Sequence, residues 1–401
     1  MSGVFRRGHN EQHTHVIYNK VCFAMFPNYP VVALLALLIA TLPPTAPVHA
    51  QAAAPIMPLA HKALLLDVAT AGPRLVVAGE HGIVLYSDDN GDHWEQALVP
   101  TARMLTAVHF VDARKGWGVG HDGLVLVSAD GGQNWRVQRD GLAMQHQLNL
   151  EQRENAHQRV EELELQLASA DEADRAAIEA DLEEAQFDLE DAELTLEEPV
   201  FTSPLLDVWF QDSSLGWAVG AFGTFIATAD GGRHWVSRDS ELDNPDELHL
   251  NAVTGDGRGR VFIVGEGGLM FRSLDSGHSW EPLQPFYDGS WFGAVYDPHY
   301  DALLVFGLRG NLYRSTDFGD TWAAVATGNS NTLAGGNWSA DGIVVVGGDG
   351  TVLHSTDGGQ GFRKLSLRDH LALSSGIARG GELILVGQGG VKTGHGGIVH
   401  E

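Results

Sequence analysis

Residues 116–135 read GWGVGHDGLVLVSADGGQNW, and residues 216–235 read GWAVGAFGTFIATADGGRHW. Each stretch is an apolar run ending in G-x-x-G, a second apolar run, and then S/T-x-D-x-G-x-x-W. This last motif occurs six times, pairing Asp89 with Trp94, Asp130 with Trp135, Asp230 with Trp235, Asp275 with Trp280, Asp317 with Trp322 and Asp357 with Phe362. From one closing aromatic to the next the steps are 41, 100, 45, 42 and 40 residues. A period of about 40 residues made of short strands and glycine turns signals an all-β fold of the β-propeller type. The G-x-x-G element occurs seven times, beginning at Gly79, Gly120, Gly220, Gly265, Gly307, Gly347 and Gly387, so seven blades are expected. The seventh copy is followed only by VKTGHGGIVHE, with no Asp motif. Blade seven is therefore expected to lack its own outer strand, with the apolar stretch Ile56 to Ala60 supplying it and removing an open sheet edge.

Six copies of one residue set argue for a structural role, because a catalytic site brings different residues together once. The carboxylate is placed to accept N–H bonds within the hairpin turn, glycine to take a positive φ, and the aromatic to pack beneath the turn.

One step is 100 residues long, which leaves about 58 to explain. Residues 151–200 carry 18 Asp+Glu against three Arg. Within them Ala156, Val160, Leu163 and Leu167, and then Ile178, Leu182, Ala185, Leu189, Ala192 and Leu196, alternate steps of three and four. That spacing predicts an antiparallel α-helical hairpin over 141–198, with arms of about 25 residues, roughly 38 Å each. Ser169 to Glu172 reads as a capping box opening the second arm. The division expected is an export signal over 1–50, blades one and two over 51–140, the acidic hairpin over 141–198, and blades three to seven over 199–401. The hairpin interrupts a link between blades, so it should rise from the face that carries the G-x-x-G turns.

Arg6, Arg7 and Lys20 precede an apolar run from Val31 to Leu42, and Val48-His49-Ala50 offers a small-x-small cleavage site. This predicts a signal peptide cleaved near Ala50 and a periplasmic product. The single cysteine, Cys22, lies in that segment, so the mature chain has no disulfide framework. Without residues 1–50 the chain carries 22 Lys+Arg against 51 Asp+Glu, a net charge of −29. Such a surface repels nucleic acid and anionic lipid headgroups, and neither is expected as a partner.

Individual chemistry should sit in the G-x-x-G loops, where a rigid scaffold presents variable residues. His81 and His121 occupy neighbouring loops, and with Glu80 and Asp122 they compose a weak metal-ligand set; ordinary exposed loop residues are the plainer account, and no metal or cofactor is expected. Phe222 is the one aromatic in these loops. Arg272, Arg309 and Arg314 form either an anion-binding group or scattered solubilising charges. A glycosidase needs paired carboxylates in the mouth, which Glu80, Asp122, Glu266 and Asp349 could supply, and spacing alone does not exclude it. The chain has no G-x-S-x-G elbow, no H-E-x-x-H and no phosphate-binding loop.

The paired GWxVG and SxDGGxxW signals in the two quoted blocks resemble the photosystem II assembly and stability factor family, over about 290 residues. The resemblance implies a non-enzymatic, seven-bladed periplasmic or lumenal protein that helps a membrane complex assemble or persist. It also implies an arginine-rich patch, carried here onto Arg272, Arg309 and Arg314, although this chain is poor in arginine. The acidic hairpin departs from the compact family pattern. Relatives in heterotrophs are associated with RND-type exporters, which makes a transport complex a plausible client. The expected partner is thus a membrane protein complex, engaged through the G-x-x-G face and the acidic hairpin. The alternative is a periplasmic glycan-binding protein or a sialidase-like glycoside hydrolase with the same Asp motifs.

Overall fold

A computed structural model describes residues 52–395 and 398–400; the export-signal segment and Cys22 lie outside the described residues. The described chain forms seven four-stranded antiparallel sheets, each built from consecutive strands. We number the sheets 1 to 7 in chain order. Their first strands, Leu65–Ala71, Leu105–Phe110, Leu205–Phe210, Leu250–Gly255, Trp291–Asp297, Leu333–Ser339 and Leu373–Arg379, pack each on the next, and the seventh packs back on the first.

Second and third strands are buried on both faces, which explains why they read as continuous apolar runs instead of alternating. Arg74–Gly79 and Val261–Gly265, for example, are buried almost throughout. Their side chains meet those of the neighbouring sheet in discrete clusters. One joins Val68, Val77 and Leu85 of sheet 1 to Ile377, Ile384 and Val386 of sheet 7. Fourth strands are short and exposed, as at Glu95–Gln96, Val236–Ser237 and Glu281–Pro282. Short edges carrying charge or proline resist pairing with another chain.

The seven G-x-x-G turns share one construction. The first strand of every sheet carries a β-bulge, for example between Leu65 and Asp67 and between Leu105 and Ala107. The carbonyl just before that strand accepts the N–H of the residue after the first glycine: His121 to Met104 at 3.0 Å, Leu308 to Ser290 at 3.1 Å. For the carbonyl to reach, it must come so near the glycine that a Cβ on Gly120 would lie 2.1 Å from the Met104 oxygen. Only glycine fits. The third position of the turn takes a left-handed conformation in every loop, in His81, Asp122, Phe222, Gly267, Arg309, Asp349 and Gly389 alike.

Sheet 7 departs from the sequence expectation. Ile398–His400 pairs with Gly390–His395, so the sheet is completed by the residues that follow it. The stretch Ile56 to Ala60 forms no strand; it lies beside the outer edge of sheet 1, where Met57 N–H donates to Gln96 Oε1 at 2.9 Å and Gln96 Nε2 to the Pro55 carbonyl at 2.8 Å. A local hairpin closes a far shorter loop than pairing across the whole chain, and the entropy of loop closure favours it.

The insertion is helical. Helices α1 (Gly141–Ser169) and α2 (Arg175–Glu197) pack on one another through a short link. Leu163, Ala185 and Ala192 are buried in the seam, and the other heptad positions are half-buried. The link differs from the capping box read from the sequence. Ser169 is the last residue of α1 and its hydroxyl donates back to the Leu165 and Gln166 carbonyls. Asp171 takes the capping part instead, accepting the N–H groups of Ala173 and Asp174. No helix among the described residues is long and apolar enough to cross a membrane.

Candidate functional site

The Asp hairpins at one end of the sheets are self-contained. In sheet 2, Ser128 Oγ donates to Asp130 Oδ1 at 2.9 Å and accepts the Gly132 N–H at 2.9 Å. Asp130 Oδ1 accepts the N–H groups of Gln133 and Asn134, while its Oδ2 accepts from the Asn134 side chain. The same positions recur, with His93, His234, Ser279 and Thr321 supplying the side-chain partner four residues after the aspartate. These bonds hold the carboxyls low. Asp89 is brought down to about 2 by the His93 N–H, the His93 ring and the Ser87 hydroxyl, and Asp275 to about 2 by the Ser279 hydroxyl and N–H and the Ser273 hydroxyl. The closing aromatics enter the clusters shared with the preceding sheet: Trp94 with sheet 7, Trp135 with sheet 1, Trp235 with sheet 2, Trp280 with sheet 3 and Trp322 with sheet 4.

Two of the three candidate arginines sit at this end and are occupied. Arg272 is 9% exposed; it pairs with Glu281 at 2.9 Å and Asp320 at 2.7 Å and also donates to the Phe318 carbonyl, tying sheet 4 to the Asp hairpin of sheet 5. Arg314 donates to the Gly358 carbonyl at 2.6 Å, tying sheet 5 to the hairpin of sheet 6. Arg309 lies beyond the opposite end of the Leu312–Ser315 strand, in a G-x-x-G turn. The three do not converge. They are one residue of an otherwise varied loop set and two braces between sheets.

At the G-x-x-G end, the four carboxylates named from the sequence are all engaged. Glu80 accepts the Leu64 N–H at 2.8 Å and Glu266 the His249 N–H at 3.1 Å. Asp122 pairs with Arg103 at 3.1 Å and Asp349 with His370 at 2.9 Å. His81 is exposed and only approaches its neighbour Glu80, at 3.9 Å; His121 is exposed in the next loop. Among the described residues no group of three or more His, Cys, Asp or Glu is placed to hold a metal ion.

The hairpin rises from this end. Asp140 caps α1 by accepting the Ala143 N–H, and Arg103 bridges Asp140 at 3.0 Å to Asp122 of the sheet 2 loop. Arg139 donates to the Gly123 carbonyl in the same turn. Where the chain returns from α2, Phe201 meets Phe222 of the sheet 3 loop edge-to-face, with ring centroids 6.2 Å apart. Phe222 in turn stands edge-on to His249 at 5.0 Å, and His249 Nδ1 accepts the Phe222 N–H at 3.0 Å. Phe201 is 67% exposed and Phe222 53%.

Between the two ends runs a channel cavity of about 520 Å³ lined by the first strands. The residues that follow the seven bulges face one another there: Asp67, Ala107, Asp207, Ala252, Gly293, Gly335 and Ser375. Asp67 accepts the N–H groups of Val68 and Val108 and the Ser375 hydroxyl, and Asp207 those of Val208 and Val253. Each aspartate thus bonds to the first strand of the following sheet. Enclosure by protein pushes Asp67 up to about 6, and the same enclosure together with the Asp67 charge pushes Asp207 up to about 7, against the pull of those N–H bonds. Both residues are part-exposed and line the channel. Sequence reading missed this pair, although both occupy the same Leu-Leu-Asp-Val stretch of a first strand, Leu65 to Val68 and Leu205 to Val208, and that likeness was the available signal.

Comparison with known proteins adds identity to this geometry. The family model described as photosynthesis system II assembly factor YCF48 matches residues 87–161 and 189–343. The photosystem II assembly lipoprotein Ycf48 of Synechococcus sp. (strain CC9902) is 31% identical over 196 residues, covering 46% of this chain and 56% of that protein, so the match spans little more than half of the relative's length. Among solved structures, YCF48 bound to D1 peptide has a TM-score of 0.55 at 15% identity, covering 82% of this chain and 92% of its own. YCF48 from Cyanidioschyzon merolae gives 0.55 at 15%, covering 86% and 98%. A GH74 xyloglucanase from Xanthomonas campestris gives 0.54 at 13%, covering 83% of this chain and 52% of its own. Likeness at these identities establishes the β-propeller fold alone.

Proposed function

This chain belongs to the photosynthesis system II assembly factor YCF48 family, and from that premise we propose that it is an exported, non-catalytic propeller that assists the assembly or stability of a membrane protein complex. In this reading the seven sheets are the seven blades of one ring, residues 1–50 are a signal peptide removed near Ala50, and 141–198 is an arm inserted between blades two and three. The six Asp hairpins are scaffold, and recognition belongs to the opposite end. The relative described as a lipoprotein supports export, and the relative bound to a D1 peptide supports recognition of a segment of a membrane protein.

One observation carries the reading. At the G-x-x-G end the carboxylates available for hydrolysis are spent on backbone N–H groups, Arg103 and His370, while aromatic side chains and an acidic arm are presented to solvent. Such a surface suits binding, and each of its four loop carboxylates is held by a partner. The GH74 neighbours keep glycoside hydrolysis as the competing activity.

The test is affinity capture of the full chain from detergent-solubilised membranes of its own host, beside hydrolysis assays on xyloglucan and sialosides. Recovery of a membrane complex whose assembly declines when the protein is removed supports the proposal. Turnover of a glycan, abolished by substituting a mouth carboxylate, would overturn it.

A further inference from the structure

Phe222 holds a conformation that costs a bulky side chain: φ is +53° in a loop position where two of the other six copies carry glycine. Every G-x-x-G turn imposes this left-handed backbone, and here it falls on a phenylalanine that is 53% exposed. Here the surroundings are specific. The Phe222 N–H is held by His249 Nδ1 at 3.0 Å, which leaves Nε2 to carry the proton of the neutral ring. The phenyl ring is then presented to solvent between Phe201 and His249.

Acidic residues predominate around this trio, since Arg139, which lies beside Thr202, is bound to the Gly123 carbonyl. No Lys or Arg occurs from residue 176 to 232 or from 239 to 257, the stretches that supply all three rings. Glu247 lies against the Phe222–Gly223 loop, Glu266 approaches His249 at 3.8 Å, and Glu197 and Glu198 end α2 just before Phe201. Arg175, Arg233, Arg238 and Arg258 bound these stretches, and Arg238 is paired with Glu241 at 2.5 Å.

We propose that Phe201, Phe222 and His249, with the acidic base of the hairpin, form a docking site for an extended basic peptide segment of the partner protein, one that alternates Lys or Arg with apolar side chains. Exposed ring faces attract an ammonium or guanidinium group, and the flanking carboxylates complete its neutralisation. The apolar residues of the segment cover the exposed phenyl surface. This deepens the assembly-factor reading and rests on it.

The probe is a short fluorescent peptide repeating Lys-Phe-Gly, titrated by anisotropy against the mature chain, with Glu-for-Lys and Ser-for-Phe peptides as controls. Tight, salt-sensitive binding of the first peptide alone is expected, weakened about tenfold by Phe222→Gly and by Phe201→Ala, in line with loss of one interface anchor. Glycine suits the left-handed position, so Phe222→Gly retains the fold, and circular dichroism checks both variants. Equal binding of the Ser-for-Phe peptide, or binding unchanged in both folded variants, overturns the proposal. So does a concentration-dependent dimer that Phe222→Gly abolishes, which would make the patch an interface between two copies. Membrane capture with the same variants separates the two levels: a partner retained at full yield by the double variant sinks this site and leaves the assembly reading standing, whereas no partner with wild type sinks the reading itself.

Discussion

Replacing Asp207 by asparagine should change how stability depends on pH, and the sign follows from the channel geometry. In the folded chain Asp207 stands at about 7 and Asp67 at about 6, whereas an unfolded aspartate titrates near 3.9. Between roughly pH 4 and pH 7 the folded state therefore binds protons that the unfolded state has released, so stability contributed by these groups is complete below about pH 4 and is lost as the pH rises to 7. A shift of about three units at 1.36 kcal/mol each sets an upper bound of roughly 4 kcal/mol for Asp207. Both residues are part-exposed on the channel, and solvent screening there brings the figure to about 1–2 kcal/mol. In a chain of this size that is a fall of about 1–3 °C in Tm. An amide at position 207 cannot titrate, so the Asp207→Asn variant should lose this part of the slope. It should also melt lower at pH 5, because an amide NH2 replaces one of the two carboxyl oxygens that accept and leaves the Val208 or Val253 N–H unsatisfied, at about 1–3 kcal/mol. Scanning calorimetry of both proteins from pH 4.5 to 8 at constant ionic strength measures the difference. Identical slopes, or a wild-type-minus-variant difference that grows with pH, would refute the account of the channel.

Four further outcomes follow from other parts of the molecule. Ser128→Ala removes the acceptor of the buried Gly132 N–H and a donor to Asp130, and should cost about 2 kcal/mol in denaturant melts, against under about 0.5 kcal/mol for exposed Arg136→Ala. Gly120→Ala forces a Cβ to within 2.1 Å of the Met104 oxygen, so it should cost more than about 3 kcal/mol or prevent soluble expression. Asp89 and Asp275 are held at about 2, so their contribution is present above about pH 4 and is lost as pH falls from 4 towards 2; a Tm series over that range should show an acid limb, weakened in Asp275→Asn. Deleting 143–198 should leave the near-ultraviolet dichroism and Tm of the sheets nearly unchanged, because α1 and α2 bury their seam against one another and not in a sheet cluster.

The repeat was legible because its residues are set by local constraints. A glycine forced by a carbonyl approach and a hydroxyl–carboxylate–glycine hairpin recur wherever the same turn is built, and each leaves a mark at fixed spacing. The helical hairpin was legible for a similar reason, since its seam is periodic. What failed lay at the edges. Ile398–His400 is too short to announce a strand, so the spare N-terminal stretch took its place in the sequence reading. Ser169 and Asp171 both fit a cap, and only the end of α1 distinguishes them.

Site features were harder to read because they are made by distant segments. Arg309 and Arg314 are close in sequence, but the strand Leu312–Ser315 carries Arg314 away from the loop that holds Arg309 and towards the Asp hairpin. Phe201 and Phe222 meet because α2 delivers the chain beside the third loop, and nothing in their spacing shows it. Asp67 and Asp207 are 140 residues apart, yet occupy equivalent positions beside the same bulge, and the repeat alignment alone could have matched them.

Site-specific photo-crosslinking in the native host tests the central claim most directly. A photoreactive residue placed at position 222, at position 187 on the hairpin, or at position 93 on an Asp hairpin reports which end of the molecule meets a partner. The account predicts crosslinks to one membrane protein from positions 222 and 187 and none from 93. Crosslinks from position 93 alone would contradict it and move recognition to the Asp-hairpin end.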